Sequence, residues 1–196
     1  MRSQSGASGD TVYRLGVIHG RFQVFHNDHL RYVLAGKQLC DHLVVGITNP
    51  DPGLTGHDTA DPKRSRAESN PLTYYERQWL VRVSLLEAGV NGNAFTVTPF
   101  PVNSPELYLY YVPLDAVFFL TIYDDWGRRK RELFTSLGLD IHVLWECSPQ
   151  DKGLSGTDVR RAMAEGNDWE SQVPAAAVSL LRQWKIPERL AGLSIV

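Results

Sequence analysis

Gly16-Val17-Ile18-His19-Gly20-Arg21-Phe22-Gln23-Val24-Phe25-His26-Asn27-Asp28-His29-Leu30 is the stretch on which the fold turns. Its first residues close an apolar run that reads as a strand, and a helix is expected to begin at about Asn27. His26 and His29 then lie three residues apart, one turn, at the start of that helix. Helix N-termini expose unpaired backbone N–H groups and the positive end of the dipole. Two imidazole donors added there make a site for phosphate.

A second stretch of the same kind lies far downstream, Leu154-Ser155-Gly156-Thr157-Asp158-Val159-Arg160-Arg161. Hydroxyls and arginines again gather at a predicted helix start, although Ser155 with Asp158 also reads as an ordinary cap. The first stretch resembles the signature of the HxGH nucleotidyltransferases, and Gly20-Arg21-Phe22-Gln23 is similar to the nicotinamide mononucleotide adenylyltransferase branch. The second resembles that family's SGTxxRR phosphate motif. The order and separation of the two motifs fit the family, and the likeness covers roughly residues 13 to 190.

Composition sets the frame. At 196 residues, with 43% apolar and 21% charged residues, the chain fits one soluble domain of ordinary type. Residues 11–196 are expected to form it, behind a polar Ser/Gly-rich leader, residues 1–10, expected to be disordered. A net charge of -2 gives no general attraction to nucleic acid or to an anionic membrane. Cationic clusters at Lys63, Arg64 and Arg66, at Arg128 to Arg131, and at Arg160 and Arg161 would ordinarily be solvated surface. Each follows a predicted strand or opens a helix, which points instead to anions. Two cysteines, Cys40 and Cys147, suggest neither disulfides nor zinc, so a reducing cytoplasmic setting is expected.

Strand and helix patterns alternate along the chain. Predicted strands are Val12 to Ile18, His42 to Thr48, Phe95 to Phe100, Asp115 to Ile122 and Leu139 to Trp145. Predicted helices run from Asn27 to Cys40, from Thr73 to about Gly89, from Gly127 to Leu137 and from Ser155 to about Gly166. A last helical region follows Asp168, clearest from Ala175 to Trp184. Thr73-Tyr74-Tyr75-Glu76 is a capping box, and Leu80, Val83 and Leu86 or Glu87 are expected to form that helix's apolar face. Asn49 to Leu72 exceeds ordinary loop length and reads as a functional loop, while Asn103 to Val112 suits a short helix.

This alternation gives an α/β fold with a parallel sheet and right-handed crossovers. The resemblance implies a Rossmann-like doubly wound parallel five-stranded sheet in order 3-2-1-4-5, with C-terminal helices. Ligands bind beyond the carboxyl ends of such strands at the switch point, where His19 to His29 and Tyr123 to Arg131 would face one crevice.

Nucleotidyl transfer brings two anions together and expels pyrophosphate; the acceptor is already anionic and needs no general base. The resemblance implies His26, His29 and Arg21 as the catalytic group, with Gly20, Ser155, Thr157 and Arg160 holding the triphosphate. Mg2+ is expected to arrive with that triphosphate, from CTP or ATP. The family's third HxGH residue is glycine; here it is Asp28, either a favourable first-turn anion or a metal ligand. The archaeal members stack a tryptophan on the nicotinamide ring from the segment between strands three and four. Here Phe100 to Glu106 contains no aromatic residue beyond Phe100.

Arg64, Arg66, Arg128 and Arg129 are the expected acceptor-binding residues, with Trp126 and Tyr123 as candidates for stacking on the base. Many guanidinium groups without a stacking aromatic suit a compact anionic acceptor. That description resembles the cytidylyltransferases of phosphonate antibiotic pathways. The alternatives are an adenylyltransferase acting on nicotinamide mononucleotide and, because of Asp28, a nucleotide-binding regulatory module without turnover. Family members are commonly oligomeric, so a homo-oligomer is an expectation by resemblance.

Overall fold

The computed structural model describes residues 13–51, 69–148, 150 and 153–193. The leader and the cluster of Lys63, Arg64 and Arg66 lie outside the described residues. In chain order come β1 (Tyr13–Gly20), α1 (Asn27–Gln38), β2 (Cys40–Thr48), α2 (Tyr74–Glu87), β3 (Phe95–Phe100) and β4 (Val117–Ile122). There follow α3 (Asp125–Ser136), β5 (Asp140–Glu146), α4 (Gly156–Glu165), α5 (Ala175–Gln183) and α6 (Ile186–Leu193). Short 3-10 turns occupy Pro105–Tyr110 and Glu170–Gln172. All strand pairs are parallel, in the order β3-β2-β1-β4-β5. The expected sheet is therefore found.

Alternation along the strands divides the core between the two sheet faces. Ile18, Leu43, Val45, Ile47 and Phe119 pack with residues of α1, α2, α4, α5 and α6. Val17, Val44, Phe118 and Leu120 turn the other way, onto Phe134 of α3 and Tyr108 of the first 3-10 turn. The second face is thinner. Its wall above the strand ends is built by α3, and that helix shapes one side of the cavity described below.

Several boundaries differ from expectation for identifiable reasons. Cys40 is not in α1 but opens β2: the helix ends at Gln38, and Tyr13 N–H donates to Leu39 O at 2.9 Å, drawing the chain into the sheet. Burial lifts the Cys40 thiol pKa to about 11. The buried residues of α2 are Glu76, Arg77, Leu80, Val81, Ser84 and Leu85, and Leu86 is exposed. The expected apolar face was misplaced because a buried arginine and serine do not register as apolar. Trp169 stands at the N-cap position of the Glu170–Gln172 turn, and the expected capping side chain is Asp168, whose carboxylate accepts Ser171 N–H at 3.3 Å and the Ser171 hydroxyl at 2.7 Å. The final helix, α6, was not anticipated as separate from α5; its Ile186 and Leu190 are buried.

Candidate active site

A cavity of about 560 Å3 opens above the carboxyl ends of β1 and β4. That is the size of a small-molecule site, at the place where this topology puts one. Its lining contains Gly20, Arg21, His26, Asp28, His29, Tyr123, Trp126, Ser155, Thr157 and Arg160. The two phosphate-type motifs thus share one cavity, although more than a hundred residues separate them.

His26 is the N-cap of α1, and the cap is made of two imidazoles. His29 N–H donates to His26 Nδ1 at 3.4 Å, and His26 N–H donates to His29 Nδ1 at 3.5 Å. The rings stack with centroids 3.6 Å apart. Since each Nδ1 accepts, each neutral ring carries its proton on Nε2. The histidine pair therefore presents two Nε2–H donors beside the helix N-terminus. Phe22 and Phe25, both fully buried, pack on His29 and fix its ring from behind.

The loop carrying Arg21 and Gln23 is tied down from three directions. The Gln23 side-chain amide pairs with both backbone groups of Leu72, each at 2.9 Å, linking it to the start of α2. Arg77 of α2, 2% exposed, donates to the carbonyls of Arg21 (3.0 Å), Thr48 (2.8 Å) and Asn49 (2.7 Å). Burial, with the nearby positive charge of Arg21, draws its pKa down to about 10. Arg160 of α4 donates to Gln23 O and, at 3.2 Å, to Thr157 Oγ1. Gly156 allows this approach: a β-carbon there would meet Gln23 O at 2.7 Å.

Two expected roles change as a result. Arg160 is a buried brace between α4 and the first motif, as well as a cavity residue. Asp28 Oδ2 accepts Leu154 N–H at 2.7 Å, with Gly153 packed so closely that a β-carbon would meet that oxygen at 2.3 Å. Asp28 thus joins the two motifs through Oδ2 while lining the cavity. Among the described residues no group of three or more His, Cys, Asp or Glu side chains could hold a metal ion. Ser155 Oγ accepts Asp158 N–H at 3.2 Å and donates to the Asp158 carboxylate, so its hydroxyl serves the cap of α4.

The acceptor residues expected on α3 are not in the cavity. Arg128 pairs with Asp125 at 2.6 Å in solvent, and Arg129 is exposed outside the lining. The helical period explains this: Trp126, Lys130 and Phe134 share the inward face, which excludes 128 and 129. Lys130 is the cation of that run that lines the cavity, its ammonium 3.8 Å from the centroid of the Trp126 ring. His19, in the stretch expected to face the crevice, lines it too, and so does Trp145, which lay outside the expected set. Trp145 Nε1–H donates to Tyr123 OH and packs edge-on against Tyr32, an aromatic corner, and Trp126 lines the same cavity. A register shift between Leu120 and Thr121 pairs Thr121 with Trp145 at that point.

Residues 17–162 match the cytidylyltransferase-like family. The chain belongs to that family. It is a nucleotidyltransferase. It is 48% identical to the phosphonoformate cytidylyltransferase of Streptomyces viridochromogenes over 93% of this chain and 98% of that protein. A nicotinamide-nucleotide adenylyltransferase of Methanolobus tindarius is 26% identical over 89% of this chain and 91% of its own. In fold, the nucleotidyltransferase resembles the bifunctional NMN adenylyltransferase/ADP ribose pyrophosphatase of Francisella tularensis, with a TM-score of 0.65 at 15% identity. The match covers 92% of this chain but about half, 53%, of that longer one.

Proposed function

We propose that the enzyme transfers CMP from CTP to a compact phosphonate, with phosphonoformate the leading acceptor, giving a CMP–phosphonoformate product and pyrophosphate. A phosphonate oxygen attacks the α-phosphorus; the bond from that phosphorus to the bridging oxygen breaks, and the electron pair leaves with pyrophosphate. His26, His29, the α1 N-terminus and Arg21 supply donors to the charge that develops on the phosphoryl and leaving oxygens. Thr157 and the start of α4 hold the outer phosphates, with Arg160 fixing their position. Mg2+ would enter on the triphosphate, since no group of three or more His, Cys, Asp or Glu among the described residues could hold it; no residue role here depends on it.

One observation carries the choice of acceptor. The segment after β3 gives the cavity only Val102 and Asn103, while Tyr108 is buried in the core and Tyr110 and Tyr111 lie outside. A nicotinamide ring would have no aromatic face from that side. The likeness to the Streptomyces protein supports CTP as donor. The aromatic residues Tyr123, Trp126 and Trp145 of the lining suit its base.

Pyrophosphate release from CTP or ATP, each offered phosphonoformate or nicotinamide mononucleotide, tests the reading. Fast turnover with CTP and phosphonoformate is expected. Efficient turnover with ATP and nicotinamide mononucleotide would overturn it.

A further inference from the structure

The floor of the cavity holds a polar group that the protein leaves unsatisfied. His19 is 4% exposed, and neither ring nitrogen has a hydrogen-bond partner among the described residues. Its ring lies between Phe100 and Phe134, with centroids 5.2 and 5.5 Å away. An apolar side chain would fill that space without the cost of an unpaired N–H. A histidine retained there asks for a partner that arrives from the cavity.

Lys130 stands on the same wall. It follows Trp126 by one turn of α3 and precedes Phe134, the residue packed on His19, by another. The face of Trp126 holds its ammonium. Burial and the positive charge of Lys130 together keep His19 neutral, so the imidazole is a donor and not a second cation. Asn103 adds an amide to the cavity lining. An anion between Lys130 and His19 would accept the unpaired N–H and meet the ammonium at once.

We infer that His19 and Lys130 form the subsite for the acceptor's second anionic group, the carboxylate it carries beside the phosphonate. The inference rests on the acceptor reading above. It explains why a compact acceptor with two charged heads fits this cavity: one head faces Arg21 and the histidine pair, the other faces His19 and Lys130. Selection among acceptors is then made on a face of the sheet that the nucleotide motifs do not occupy.

The test compares phosphonoformate with methylphosphonate, which lacks the carboxylate, in wild type, Lys130→Met, Lys130→Arg, His19→Leu and His19→Asn. An acceptor that is not turned over is scored by its inhibition constant against phosphonoformate. Lys130→Met and His19→Leu are each expected to cut the preference for phosphonoformate about tenfold or more while the KM for CTP stays within about twofold. Lys130→Arg and His19→Asn should restore part of it. His19→Leu should also raise Tm, a gain in stability coupled to a loss of selectivity that a purely structural histidine would not give. Equal losses for both acceptors, a parallel rise in the KM for CTP, or a wild type that does not discriminate would overturn the inference. Wild-type protein inactive with phosphonoformate sinks the acceptor reading and this inference with it. Wild-type turnover with unaltered preference in the variants sinks this inference alone.

Discussion

Asp28 Oδ2 accepts the backbone N–H of Leu154, joining the first turn of α1 to the segment that leads into α4. With the Arg160 bond to Gln23 O, this hydrogen bond sets the spacing between two phosphate-type motifs, its own two residues being 126 apart in sequence. In a family whose motif has glycine at this place, the carboxylate is a local substitution with a local partner. The idea of an inactive regulatory module, which rested on Asp28 alone, loses its motive.

Asp28→Asn keeps an acceptor oxygen for Leu154 N–H and is expected to retain near-normal turnover. Asp28→Gly removes it and adds the helix cost of glycine, together about 1–3 kcal/mol of stability. It should also raise the KM for the triphosphate, because the start of α4 is released. Denaturation curves and steady-state kinetics on both variants check this. A normal triphosphate KM in Asp28→Gly would show that the bond does not position α4.

His29→Ala is expected to lower kcat about a hundredfold to a thousandfold, the usual loss for one donor to developing charge. The KM for CTP should change far less. The variant also breaks the reciprocal cap with His26, at a cost of about 1 kcal/mol, too little to unfold the protein. Near-normal kcat would remove His29 from the chemistry and leave it as a cap.

How much of this was legible in the sequence follows from its physics. The sheet order, the capping box at Thr73 and the meeting of His26, His29, Ser155 and Thr157 in one cavity follow from periodicity, caps and motif resemblance. The braces were not legible. Gln23 to Leu72, Arg77 to the carbonyls of Arg21 and Thr48, and Arg160 to Gln23 are contacts between side chains and distant backbone, which leave no local pattern. Arg128 and Arg129, the expected acceptor residues, lie outside the cavity lining, because a run of cations hides which one faces inward. Counting from Trp126 by helical turns would have selected Lys130. His19 lay in the stretch expected to face the crevice but was given no role; a histidine closing the apolar run of a central strand is a signal in itself.

Arg77→Met tests the largest of those braces. Five backbone carbonyls accept from Arg77: those of Arg21, Thr48, Asn49, Pro50 and Thr73. Methionine fills part of the volume and satisfies none of them. The variant should lose about 3 kcal/mol or more in stability, as expected for a buried charged donor network. The readout is the free energy from urea or guanidinium unfolding. A loss below about 1 kcal/mol would mean that water replaces the guanidinium freely at these carbonyls.

His19 gives the protein a predictable response to acid. Burial, then the charge of Lys130, holds its pKa well below the ordinary 6.5. Below that ordinary value the unfolded chain takes up a proton at this residue and the folded chain does not, so falling pH favours unfolding. The loss from this one group approaches about 1.4 kcal/mol per pH unit between the unfolded and folded values. It is absent above the unfolded value. His19→Leu removes the group, so the drop in unfolding free energy between about pH 7.5 and about pH 5.5 should be smaller in the variant than in wild type. Chemical unfolding of both proteins at the two pH values measures the difference directly. Identical pH dependence would mean that His19 takes up its proton as readily folded as unfolded, so that burial and Lys130 do not hold it neutral.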